Sequence, residues 1–387
     1  MGILILLFYI IMIPRYVTTQ IKADFGKQKI VILYGPRQVG KTTIAKELLA
    51  KEPSGVYYNC DQEETARLFS AHNLTQLSSL VGAHDFIVID EAQRVPGIGI
   101  SLKILIDNFP RKTFLVTGSS SFELAQKIHE PLTGRHFTHT LFPIALRELS
   151  QIRNPIDLAE SLEEYLLFGS YPDVASSPDR AEKRRRIEEI AADYLFADAL
   201  NLGVVKDPGI LRRLLQAVAL QVGSEVSTAE LANLLGIDRK TVVRYLDVCE
   251  KLFILVALSP HLSNKRNAIA KQKKYYFLDV GIRNALINNF NALSLRADVG
   301  AIFENYAILE RMKRNAAMQR RPTYTFWRSY QGREIDLIEE IDGNLEAFEI
   351  KLSRNAPSKG TREYFLSEMR GASFSLVNRD TLQDFAV

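Results

Sequence analysis

The chain has 387 residues, 47% of them apolar and 24% charged, which excludes a disordered, collagen-like or low-complexity chain. The formal net charge of +4 permits a nucleic-acid partner without arguing for one. Two cysteines far apart, Cys60 and Cys249, offer neither a disulfide framework nor a zinc knuckle, so a reducing, cytoplasmic setting is expected.

Residues 1–13 are almost wholly apolar but stop at Pro14-Arg15, short of the ~20 residues of a membrane span. They lack the charged start and small-residue end of a secretory signal. Residues 1–12 therefore read as a non-native or disordered extension with Met12 as the natural start; a membrane anchor is the other reading, and no membrane partner is expected. Next, 29–34 reads as a buried strand, followed by a glycine-bounded loop and a helix from Thr42. Strands are expected at 56–60, 86–90 and 113–117, separated by helical patterns, and this alternation implies a parallel sheet covered on both faces. After Phe142-Pro143 the chain turns helix-rich to about 250; further strands are expected at 252–258, 275–278, 324–328, 334–341 and 345–352.

Gly35, Pro36, Arg37, Gln38, Val39, Gly40, Lys41, Thr42 and Thr43 carry the pattern G-x-x-x-x-G-K-[S/T] between an apolar strand and a helix. Glycines let backbone N–H groups curl around phosphates, and the helix N-terminus adds its positive dipole. Lys41 is expected on the β and γ oxygens of ATP, and Thr42 on Mg²⁺. The strand 86–90 ends in Asp90-Glu91, which places Asp90 on the hydrated Mg²⁺ and Glu91 as base or water-orienting group. Strand 113–117 runs into Thr117-Gly-Ser119-Ser120, where Ser119 is the candidate for the γ-phosphate or the lytic water; a helix cap at Ser120 or Ser121 is the alternative. Arg135 is a candidate arginine finger, acting in trans in a homo-oligomer, or a plain surface arginine. His129, His136 and His139 read as structural.

Ser227-Thr-Ala-Glu230 is a capping box opening a helix that buries Leu231, Leu234 and Leu235. Gly236 breaks it, and Asp238 caps a second helix whose Val242, Leu246 and Cys249 are buried while Lys240 and Arg244 face out. This is a helix-turn-helix pattern, and the basic loop holding Lys265 and Arg266 stands where a wing meets phosphate. DNA is the partner this implies; Asp247 and Glu250 on the outer face argue instead for a packing module with solvated charges.

Asp342-Gly343 signals a two-residue hairpin joining 334–341 to 345–352. That register sets Asp336 opposite Glu349 and Glu334 opposite Lys351 on one face, with Ile335, Leu337, Phe348, Ile350 and Leu352 on the other. Opposed carboxylates repel unless a cation lies between them. A divalent metal held by Asp336 and Glu349, with Glu304 as a further ligand and Lys351 as catalytic partner, is the arrangement of phosphodiester hydrolysis. The other reading is a solvated face with a Glu334–Lys351 pair. Arg328 stands ready for phosphate or for stacking on an aromatic ring.

These motifs, with Ile89-Asp-Glu-Ala-Gln93, Phe168-Gly-Ser-Tyr-Pro-Asp173, Lys274-Tyr-Tyr-Phe-Leu-Asp279-Val-Gly281 and Glu304-Asn305, occur in this order in one family. The chain resembles prokaryotic ATPases that join an AAA-type domain to a winged helix and a C-terminal domain similar to the PD-(D/E)xK restriction-endonuclease fold. The resemblance implies an α/β fold: a P-loop ATPase core at 13–145, a helical lid-like region at 146–205, a winged helix at 206–280 and an α+β nuclease-like domain at 281–387. It implies ATPase roles for Lys41, Thr42, Asp90 and Glu91, and nuclease-like roles for Glu304, Asp336, Glu349 and Lys351. Asp279-Val-Gly281 and Phe168-Gly-Ser depart slightly from the family pattern, away from the proposed chemistry.

Overall fold

The computed structural model describes residues 13–118, 131–201, 205, 207–262, 272–353 and 359–387, apart from the side chains at 193–198, 200, 201 and 359. Ser119, Lys265, Arg266 and His129 lie outside the described residues.

The first layer is a five-stranded parallel sheet in the order β2-β3-β4-β1-β5, built from β1 (Ile30–Tyr34), β2 (Gly55–Asn59), β3 (Phe86–Asp90), β4 (Thr113–Gly118) and β5 (His136–Thr140). Alternation sorts its side chains into two cores. Val31, Leu33, Phe86, Val88 and Leu115 join one cluster, whereas Ile30, Ile32, Ile87, Ile89, Phe114 and Val116 join another on the opposite face. Two-sided burial is why β1, β3 and β4 read as continuous apolar runs. The helices α1 (Tyr16–Asp24), α2 (Lys41–Leu49), α3 (Glu63–Ser70), α4 (Leu74–Val81) and α5 (Ile98–Asn108) complete this part. Strand β5 went unforeseen because His-Phe-Thr-His-Thr is a polar, half-buried edge strand that pairs with β1 alone.

Short helices follow: α6 (Leu146–Leu149), α7 (Pro155–Glu160), α8 (Leu162–Phe168) and α9 (Pro172–Ala175). Longer ones come next, α10 (Arg180–Asn201) and α11 (Pro208–Leu220). Helices α12 (Thr228–Leu235) and α13 (Arg239–Lys251) are capped as expected, by Ser227 and Asp238, with Gly236 left-handed between them. Leu234 departs from expectation, 66% exposed rather than buried.

The second sheet has seven strands in the order β12-β11-β10-β9-β7-β8-β6. Strands β6 (Glu225–Val226), β7 (Leu255–Pro260) and β8 (Lys273–Phe277) flank the helix pair. Strands β9 (Thr323–Arg328), β10 (Glu334–Ile341), β11 (Asn344–Ile350) and β12 (Ser373–Val377) form the tail. A parallel pairing of Ser259 with Thr325 and Pro260 with Phe326 fuses the two groups. The hairpin forms in the expected register, Ile341 opposite Asn344 and Leu337 opposite Phe348, around Asp342 and Gly343 in left-handed conformations. A bulge between Ile335 and Ile338, however, breaks the period of two. Ile335 therefore packs with Ile338, Trp327 and Phe365, away from Leu337, Phe348 and Ile350.

Three helices complete the chain: α14 (Val280–Leu286), α15 (Val299–Ala317) and α16 (Lys359–Glu368), before a last turn, α17 (Leu382–Ala386). Helix α15 is buried nearly throughout, and several of its charges are paired within the fold. Arg311 binds Glu339 through two nitrogens at 3.0 Å. Lys313 binds Glu310 at 2.7 Å, together with the Ile144 carbonyl and Ser170 Oγ. Glu310 also accepts the Leu146 N–H at 2.5 Å, so α15 joins the tail to the chain leaving the first sheet.

Candidate functional site

The loop 35–40 leaves β1 at the C-terminal end of the parallel sheet, where open α/β sheets bind ligands. Gly35 has φ +151° there, and a Cβ would lie 2.2 Å from the Leu141 carbonyl oxygen, so no side chain fits. Gly40, at φ +97°, opens α2 without a side-chain cap and leaves its first N–H groups for a ligand. Lys41 is buried and folded back on its own loop, donating to the carbonyls of Gly35 at 3.0 Å and Pro36 at 2.7 Å. Val39 sends its side chain into the core, which leaves only its backbone for the loop; Thr43 is exposed, as is Gln38.

Asp90 is the hub. Thr42 Oγ1 donates to its Oδ2 at 2.8 Å, and Tyr57 Oη donates to the same oxygen at 2.5 Å. Thr117 Oγ1 donates to Oδ1 and in turn accepts the Glu91 N–H at 3.2 Å. Glu91 is left-handed, φ 54°, a strained setting for a non-glycine residue, and its carboxylate accepts from Gln93 Nε2 at 2.5 Å. Burial, then the bond to Asp90, pushes the Tyr57 hydroxyl well above its usual range and keeps it a donor. Sequence reasoning missed Tyr57. Its only signal was a polar-tipped ring in the middle of a half-buried strand beside β3.

Arg135 does not join this group within the chain. It precedes β5, which runs parallel to β1 with Ile30 opposite His136, so it sits at the other end of the sheet. Five strand residues at about 3.3 Å each keep it from the loop. It is 41% exposed and pairs with Asp107 at 2.7 Å. Within its own chain Arg135 therefore has no reach to the loop; the expected role in trans concerns a second copy.

Residues 27–150 match the family model of an AAA domain. Residues 159–293 and 299–381 match two models each described as a domain of unknown function, DUF8612 and DUF4143. A Mycobacterium tuberculosis protein described as uncharacterized is 28% identical over 368 residues, covering 94% of this chain and 79% of its own. An uncharacterized Methanocaldococcus jannaschii protein is 23% identical over 347 residues, covering 84% of this chain and 75% of its own. A solved Walker-type ATPase of Pyrococcus abyssi aligns at 16% identity and TM-score 0.49 over 71% of this chain and 96% of its own. No helix among the described residues is long and apolar enough to cross a membrane.

Beyond the AAA domain, Lys240 and Arg244 stand exposed on α13 as expected, one turn apart. The acids that argued against a DNA face are engaged: Asp247 with Lys251 at 2.7 Å and Glu250 with Lys273 at 3.8 Å. Arg328 is bound to Glu225 at 3.0 Å.

In the tail, the fold brings Glu304, Glu334, Asp336 and Glu349 to one region but gives them protein partners. Lys274, 1% exposed, donates to Glu334 and lies 3.7 Å from Glu304. Tyr276 Oη donates to Glu304 at 2.6 Å. Asp336 accepts the Ile350 N–H at 2.7 Å, and Lys351 pairs with Glu349. The expected Glu334–Lys351 opposition is thus replaced by Glu334–Lys274 and Glu349–Lys351, because the bulge re-aims the start of β10. Burial, then the Asp336 charge, pushes Glu304 up to about 8. Burial likewise pushes Asp336 up to about 6, against the pull of Lys274. Burial would lower Lys274, but the charges of Glu304, Glu334 and Asp336 outweigh it and hold the ammonium above its usual value. Among the described residues no three His, Cys, Asp or Glu side chains are grouped to hold a metal ion. Glu304, Asp336 and Glu349 do not form the expected three-carboxylate set.

Proposed function

We propose that the AAA-type domain binds ATP with Mg²⁺ and hydrolyses it. The observation that carries this is Asp90 held between Thr42 and Thr117 beside Glu91, at the end of the sheet where the phosphate loop starts. A hydroxyl and a carboxylate already in contact, at Thr42 and Asp90, fit a Mg²⁺ that keeps most of its waters. Bound there, the ion would neutralise charge on the β and γ phosphates. The chain's own groups supply the rest. The backbone N–H groups of 37–41 would meet the phosphate oxygens, Pro36 having none to offer, and Lys41 would exchange its two loop carbonyls for the β and γ oxygens. Gln93 orients the Glu91 carboxylate, which takes the proton of the attacking water. Thr117 holds Asp90 in place and fixes the Glu91 backbone.

The experiment is ATP binding and turnover in the full chain. Lys41→Ala should lose nucleotide affinity, while Glu91→Gln should keep affinity and lose turnover. Turnover at the wild-type rate in either folded variant would overturn the assignment. The α13 face supports a second element, contact with DNA phosphates through Lys240 and Arg244, beside which Asp247 and Glu250 are paired with Lys251 and Lys273.

A further inference from the structure

Beside the tail's carboxylates stands a group that ATP hydrolysis does not use: Lys274 of β8, the first residue of the Lys274-Tyr-Tyr-Phe-Leu-Asp279 motif. The family resemblance implies a divalent ion among Glu304, Asp336 and Glu349, and the donors do not fit one. Among the described residues no three carboxylates are grouped to hold one, and each has a partner on one oxygen: Tyr276 on Glu304, the Ile350 N–H on Asp336 and Lys351 on Glu349. Lys274 projects from β8, a strand paired on both sides, with its stem buried and its ammonium 5.3 Å from the centre of the Phe326 ring. The ammonium contacts Glu334 and faces Glu304, the two carboxylates that flank Asp336. Gly223 stands beside the cluster, where a Cβ would come within 3.2 Å of the Glu304 carboxylate.

We infer that the Lys274 ammonium is the resident cation of the Glu304–Glu334–Asp336 cluster, occupying the place a divalent metal would take, so that the tail holds no divalent ion and cleaves no phosphodiester. The physical ground is elementary. Carboxylates brought together away from water either take up protons or take a positive partner, and here an ammonium stands among them. A tethered ammonium is always present, and a second cation entering beside it meets direct repulsion. Removing Lys274 would free the Glu334 oxygen it binds, and Glu349 Oε2 is already buried without a hydrogen-bond partner among the described residues. The inference stands independently of ATP hydrolysis.

The test is a Mn²⁺ titration of the nucleotide-free full chain, followed by the paramagnetic resonance of free Mn²⁺. Tail binding is the part that Asp336→Asn removes. Wild type should show none, and Lys274→Met should gain one site at least about tenfold tighter than any in wild type, lost again in Lys274→Met with Asp336→Asn. A Mn²⁺ site in wild type that Asp336→Asn abolishes overturns the inference. A folded Lys274→Met chain that gains no site overturns it too. Should Lys274→Met not fold, Lys274→Met with Glu334→Gln removes one charge of each sign and carries the same expectation, and the wild-type titration decides by itself.

Discussion

Arg15 and Glu148, 133 positions apart, meet in an ion pair at 3.0 Å. The same guanidinium donates to the Val39 carbonyl of the phosphate loop at 2.9 Å and to the Phe142 carbonyl at 2.5 Å. Glu148 in turn accepts the N–H groups of Tyr16 and Ala145. One arginine before α1 thus fastens the nucleotide loop to the chain leaving β5. Arg15→Ala strands a buried carboxylate, and a loss of about 3–5 kcal/mol is expected. Urea unfolding followed by Trp327 fluorescence checks this, and nucleotide affinity should fall with it. A midpoint equal to wild type would show that the loop is held by other means.

Thr117→Val keeps the shape of the side chain and removes the donor to Asp90. The expected cost is about 1.5–3 kcal/mol of stability, and turnover should drop by about tenfold or more. Tyr57→Phe removes a second donor from the same carboxylate and should weaken turnover less, because Thr42 still holds Oδ2. Equal turnover in wild type and Thr117→Val would deny Thr117 a positioning role.

His139, on the edge strand, binds Asp24 of α1 at 2.9 Å. Burial, the largest cause, holds this imidazole below its ordinary 6.5, while the bond to Asp24 opposes the shift. A base whose folded value is lowered favours the neutral form in the native state, so the unfolded chain binds more protons. Stability is then full above pH 6.5 and is lost as pH falls toward the lowered folded value. The melting temperature should decline between pH 7 and 5, and His139→Gln should flatten that decline. An unchanged slope in the variant would place the acid sensitivity elsewhere.

Arg135→Ala should leave turnover in dilute protein within about twofold, against the roughly thousandfold loss expected of an arginine finger. Turnover per chain that rises with protein concentration in wild type but not in the variant would assign Arg135 to the site of a neighbouring copy.

Lys240→Glu and Arg244→Glu should each weaken duplex binding across unrelated sequences, and together lower the salt slope by about two. Binding that does not change with salt would remove DNA contact from the α13 face.

The amino-acid order by itself determined everything that depends on neighbours along the chain. Strands β1, β3 and β4 were legible because two-sided burial demands apolar runs, and the phosphate loop because its backbone demands glycine at 35 and 40. Local hydrogen bonding made the caps Ser227 and Asp238 and the Asp342-Gly343 turn equally plain. Only the tertiary structure decided which charges meet. Tyr57 on Asp90, Arg15 on Glu148 and Lys274 on Glu334 are joined across 33, 133 and 60 positions. No periodicity records such pairings. A bulge of one residue also moved Ile335 to the other face and gave Glu334 a new partner. Arg135 sits next to a strand of the nucleotide sheet yet far from its phosphate loop, because a parallel strand has two ends and sequence proximity does not say which one carries the site. Electrostatic partners are chosen by distance in space, and that distance exists only once the sheets and α15 have packed.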